Sequence, residues 1–120
     1  MENIRTGNIH HKPNGERDWI MGNFEDPLPY PFFSTKFEIK WAELRKGEKK
    51  SNAKSDSACQ TLTILVKGKH SVDFPEHQQR FVLEKEGDYV FFEPGVSHSW
   101  AAIEDTLTIT IRWSAQQPPY

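Results

Sequence analysis

The stretch Gly87–Trp100, GDYVFFEPGVSHSW, decides how the rest of the chain is read. Gly87-Asp88 is a tight-turn pair, Tyr89 to Phe92 is a short apolar run of strand-forming residues, and Pro94-Gly95 is a second turn. Beyond that turn the chain re-enters a sheet, with His98 committed to one face and Trp100, two residues on, sharing it. A strand this short between two turns belongs to a sheet that keeps folding back on itself.

The same pattern continues outward. Phe37, Ile39 and Trp41 alternate with Glu38, Lys40 and Ala42, the period of a half-buried strand. Further strands are expected over residues 59–66, 69–74, 80–84, 97–102 and 106–113, each bounded by Gly, Pro, Asp or charged turns. No segment of helical period runs longer than about two turns, so the fold is all-β, and seven or more short strands make a sandwich or barrel. At 120 residues the chain is long enough for one core. Residues 1–34 read as an irregular arm, with Pro13-Asn14-Gly15 as a turn and Pro27, Pro29 and Pro31 excluding helix or central strand. Trp19, Ile20, Met21, Phe24, Phe32 and Phe33 make this arm apolar enough to lie over the barrel or over a partner subunit. Residues 35–114 form the barrel and 115–120 a short tail.

The intervals within the opening stretch resemble the second sequence motif of the cupin β-barrels, in which the second Gly follows the first by eight residues and the His by eleven, as Gly87, Gly95 and His98 do. The motif's Pro, six residues after the first Gly, is Glu93 here, with Pro94 one place late. The resemblance implies a double-sheet jelly roll, a cupin-like double-stranded β-helix, and places His98 inside the barrel as one of the family's usual metal ligands. The family's first motif supplies two His one residue apart, a Glu four or five residues on, and a Gly seven residues beyond the Glu. With Gly68 as that Gly, the Glu position is Thr61, and the His positions are Ser55 and Ser57, or Lys54 and Asp56. The resemblance therefore carries over one ligand of four. Asp56, Cys59, His70 and His77 stand as substitute partners for His98. No cofactor is expected, with a divalent transition metal as the alternative.

In the family register Thr61 faces the barrel interior, which puts Thr63 inside as well. Thr108, Thr110 and Arg112 share one face of the last strand, opposite Leu107, Ile109, Ile111 and Trp113. Either these polar rows join His98 and Trp100 in lining a pocket, or they face solvent as on a standard antiparallel sheet. In the first case the aliphatic rows, including Leu62, Ile64 and Val66, lie outside and suit the interface of a homodimer. The loop Arg45–Lys54 is cation-rich; it is either a solvated loop or sits at the barrel mouth and steers an anionic ligand inward. Lys54, Arg80 and Arg112 are the basic residues named for that role.

Composition narrows the functional classes. Fifteen Lys and Arg against 17 Asp and Glu give a formal net charge of -2, without the cationic excess of a nucleic-acid binder. The single cysteine, Cys59, excludes an internal disulfide and fits a reducing compartment. No apolar run suggests a secretory signal or a membrane span, so a cytoplasmic location is expected. The favoured reading is a metal-free small-molecule-binding domain with its ligand in the barrel mouth near His98. The alternatives are an enzyme, either a metal-dependent oxygenase or isomerase or a metal-free epimerase or lyase using His98 as acid or base, and a structural dimerisation module.

Overall fold

The computed structural model describes residues 3–11, 18–25, 27–50, 52–55 and 58–114. Eight strands run through them: β1 Trp19–Met21, β2 Phe37–Leu44, β3 Cys59–Lys67, β4 His70–Phe74, β5 Gln79–Leu83, β6 Tyr89–Phe92, β7 Ser99–Ala102 and β8 Thr106–Ser114. They make two antiparallel sheets, one of five strands in the order β1-β2-β8-β3-β6 and one of three in the order β5-β4-β7. Short 3-10 turns occur at Ile9–His11 and Pro75–His77, and no α-helix is present among the described residues. The all-β expectation holds, and the two sheets pack as the halves of a jelly roll.

The arm differs from expectation. It is not irregular throughout, because Trp19–Met21 pairs with β2 and widens the larger sheet by one edge strand. Only three residues take part and the register slips between Trp19 and Met21, so no alternation announces this strand in the sequence. The turn read at Pro13-Asn14-Gly15 and the tail 115–120 lie outside the described residues.

The chain passes from one sheet to the other at Gly68, between β3 and β4. Gly68 has φ +97°, and a Cβ there would run into the Asp105 carbonyl oxygen and the backbone of Thr106. Thr106 closes the same corner: its hydroxyl donates toward the Glu104 carbonyl at 2.7 Å and the Lys69 carbonyl at 3.0 Å. This fixes where β3 ends and β8 begins, and hence which of their residues face the other sheet.

Register then builds the inner face of the larger sheet. Lys40 on β2 lies opposite Thr110 on β8, and Thr110 lies opposite Thr63 on β3. One step along, Glu38, Arg112, Thr61 and Phe92 form the neighbouring row, and Ala42, Thr108 and Leu65 form the row on the other side. The Thr rows therefore face inward, and the solvent-facing alternative is set aside. Two apolar clusters close the ends of the interior: Leu65, Val72, Phe74, Leu83, Val90 and Phe92 at one, and Ala42, Leu44 and Ala102 with Trp100 at the other.

The cation-rich loop after β2 is not a free, solvated loop. It runs along the outer edge of β7, with Gly47 N–H donating to the Ala102 carbonyl at 2.8 Å and Ala102 N–H donating to the Glu48 carbonyl at 2.8 Å. Lys50 N–H donates to the Trp100 carbonyl at 3.0 Å, and Lys54 and His98 exchange both backbone bonds at 2.9 and 2.8 Å. These contacts cover an otherwise open sheet edge and carry Lys50 to the interior.

Candidate functional site

Between the sheets lies a cavity of about 130 Å³. The larger sheet contributes Thr61, Thr63, Thr108, Thr110, Arg112 and Lys40, and the smaller contributes His70, Val72 and Trp100. Phe92, His98, Trp19 and Lys50 complete its polar and aromatic walls, with Ala42 and Leu44 at the apolar end. Eight of the sequence-named residues thus come together: His98, Trp100, His70, Thr61, Thr63, Thr108, Thr110 and Arg112.

The threonines form a hydroxyl wall. Thr63 Oγ1 and Thr110 Oγ1 are 2.9 Å apart and share a hydrogen bond, while Thr61 and Thr108 are buried on either side. Arg112 is held at its base by Glu38, through Nε at 2.8 Å and Nη2 at 2.5 Å. Its guanidinium lies over the Trp19 ring at 4.4 Å, and the Lys40 ammonium lies 5.6 Å from the same ring. Sequence reasoning missed both Lys40 and Trp19. The alternation of β2 does place Lys40 on a polar face; only the pairing with Thr110 shows that this face is the inner one.

His98 packs its ring against Phe92, with centroids 4.4 Å apart, and its Nδ1 is 3.2 Å from the Val96 carbonyl. A carbonyl only accepts, so His98 Nδ1 is the donor in this bond. His70 is more deeply placed, at 3% exposure, and stacks on Trp100 at 5.7 Å. Burial, and then the Lys40 charge, push its pKa from the ordinary 6.5 down to about 4, so the ring is neutral at neutral pH. The same two causes act on Lys50: burial lowers its pKa, and repulsion from Lys54, Lys40 and Arg112 lowers it further.

The remaining sequence-named residues stand elsewhere. Arg80 is exposed and forms a two-bond pair with Asp73, at 2.6 and 3.1 Å, away from the cavity lining. Lys54 contributes its backbone to His98 and acts on Lys50 through its charge, but its exposed side chain does not line the cavity. His77 sits in the Pro75–His77 turn, beside a separate surface groove with Phe74 and Phe81. Cys59 begins β3 and lies outside the cavity lining, and Asp56 is outside the described residues.

A metal of the usual cupin kind does not fit the residues present. No group of three or more His, Cys, Asp or Glu suited to a metal ion occurs among the described residues. Among the described residues the cavity lining offers His70 and His98 but no carboxylate or thiol, and the Lys50 ammonium stands beside them.

The architecture is that of the cupins, and comparison with solved structures agrees. A cupin superfamily protein from Desulfitobacterium hafniense superposes with a TM-score of 0.59 at 19% identity, over 67% of this chain and 69% of that one. KdgF from Halomonas sp. gives 0.59 at 16% identity, over 70% and 74% of the two chains, and an RmlC-like cupin from Desulfovibrio desulfuricans gives 0.57 at 12%, over 67% and 74%. The sequence matches no family model and no curated protein. The chain therefore has the cupin fold. None of the helices among the described residues is long and apolar enough to cross a membrane.

Proposed function

We propose that this chain binds a small anionic molecule in the cavity between its sheets, without a metal ion. The observation that carries the reading is the charge of the lining: Lys40, Lys50 and Arg112 enter the cavity, and no Asp or Glu among the described residues lines it. Glu38 offsets Arg112 from behind. Burial first, and then repulsion from Lys54, Lys40 and Arg112, lower the pKa of Lys50, and an anion beside it would offset both costs. The Thr hydroxyls and the imidazoles of His70 and His98 supply further hydrogen-bonding groups, and Trp100 and Phe92 supply apolar walls.

The test is thermal unfolding of the chelator-treated protein with small carboxylates and with their uncharged amides. Carboxylates are expected to raise Tm in a saturable way and amides to leave it unchanged. Lys50→Met should weaken carboxylate binding at least about tenfold while leaving the ligand-free protein as stable or more so, because a repelled charge has gone. Equal shifts with acid and amide would contradict the reading.

A further inference from the structure

Lys50 is set apart among the cations that line the cavity. Arg112 is ion-paired with Glu38, and both Arg112 and Lys40 lie over the Trp19 ring. Lys50 enters no ion pair and no ring contact among the described residues. Its backbone is nevertheless fixed. Lys50 N–H donates to the Trp100 carbonyl at 3.0 Å, and the loop is tied to β7 before it through Glu48 and Ala102, and to His98 after it through Lys54. The side chain therefore leaves a strapped segment, lines the same cavity as His98 and Trp100, and stays only half-buried, within reach of a small reagent.

An ammonium in that setting is poorly placed to keep its proton. Burial withdraws the solvation it needs, and the charges of Lys54 on the loop, Lys40 on β2 and Arg112 on β8 oppose it from three elements. No Asp or Glu among the described residues lines the cavity to answer them, and the other titratable groups of the lining, His70 and His98, carry no negative charge. Both effects enlarge the share of Lys50 present as the free amine, which is the form of lysine that attacks a carbonyl carbon.

We infer that Lys50 is a nucleophilic amine that condenses reversibly with the carbonyl group of a small aldehyde admitted to the cavity. The nitrogen lone pair bonds to the carbonyl carbon, the C=O pair moves to oxygen, and that oxygen takes up the proton that the nitrogen releases. The carbinolamine then takes one proton from solvent and loses its oxygen as water, leaving a protonated imine, and no oxidant or reductant is consumed. The inference goes beyond the anion reading, which concerns the protonated form of the same side chain, and neither requires the other.

Reductive alkylation of the whole chain with propionaldehyde and cyanoborohydride at neutral pH traps the imine as a secondary amine, and peptide masses give the rate at each lysine. Lys46 and Lys49, exposed in the same loop, are the internal reference. Lys50 should be modified at least about tenfold faster than either. Lys54→Met, which removes a repelling charge from an exposed side chain outside the lining, should slow labelling of Lys50 about twofold or more and leave Lys46 and Lys49 at their parental rates. Lys54→Arg keeps the charge and should keep the parental rate at Lys50, which separates repulsion from a loss of structure. Labelling of Lys50 no faster than that of Lys46 and Lys49, or equally fast in Lys54→Met and Lys54→Arg, overturns the inference. Neither result touches the anion reading, which fails separately if carboxylates leave Tm unchanged.

Discussion

His70 shows most directly how a single residue couples stability to the chemistry of the site. Its pKa, about 4 in the folded chain against an ordinary 6.5, means that the unfolded chain takes up a proton over a pH range where the folded chain does not. The sign follows: stability is complete above pH 6.5 and is lost as pH falls toward 4, by on the order of 3 kcal/mol from this group alone. Urea unfolding of the parent chain and of His70→Phe between pH 7 and pH 4 checks this, and the parent should lose about that much more than the variant. Parallel losses would mean that His70 is not held neutral by its surroundings. Asp73 and Asp88, whose pKa values are lowered by hydrogen bonds from Arg80 and from the backbone of Lys85 and Glu84, are common to both chains and cancel in the difference.

The strands carry their polarity in an unusual sense. On β8 the row Thr106, Thr108, Thr110 and Arg112 faces the interior while Ile109 and Ile111 face outward, and on β2 Lys40 is inside while Ile39 and Trp41 are outside. The corner at Gly68 sets that sense, and substitution there is correspondingly informative. Gly68→Ala should cost more than about 2 kcal/mol, since strain at φ +97° adds to a collision with Asp105 and Thr106. Gly95→Ala, at φ +82° with open space around it, should cost only the strain, about 1 kcal/mol. Equal losses would show that the close approach at the corner does not matter. The sequence made the strands legible through alternation, and the interval from Gly68 back to Thr61 gave the correct inner face. Alternation alone could not, because period-two patterning names two faces without saying which is inside. Lys50 was not legible: it lies in an aperiodic loop and reaches the cavity only through backbone bonds to β7. The Arg80 side chain was misplaced for a related reason, since its strand faces could not be assigned before its pairing with Asp73 was known.

At the scale of the molecule, the inverted polarity leaves an apolar outer face on the larger sheet. Ile39, Ile111, Leu62 and Phe91 make one row across four strands, and Trp41, Ile109, Ile64 and Tyr89 make the next. Among the described residues His10 reaches the Trp41 end of this face; Phe91 is 41% and Tyr89 66% exposed, and the other six members of the two rows are half-buried. Strands β2, β8 and β3, of 8, 9 and 9 residues, and β6, of 4, lie about 4.8 Å apart and at ~3.4 Å per residue offer roughly 500 Å², so two such faces together bury about 1,000 Å², near the lower limit for a specific interface. We propose that a second copy of the chain covers it. Ile109→Lys should convert a dimer to a monomer in sedimentation velocity, and a parent chain that is already monomeric at tens of micromolar would remove the proposal. The charged interior is the more central claim, and it is tested most directly by one calorimetric titration of chelator-treated protein, its residual metal quantified, with a short carboxylic acid. The account predicts saturable binding at one acid per chain with no metal present; binding that appears only after iron, zinc or manganese is restored would contradict it.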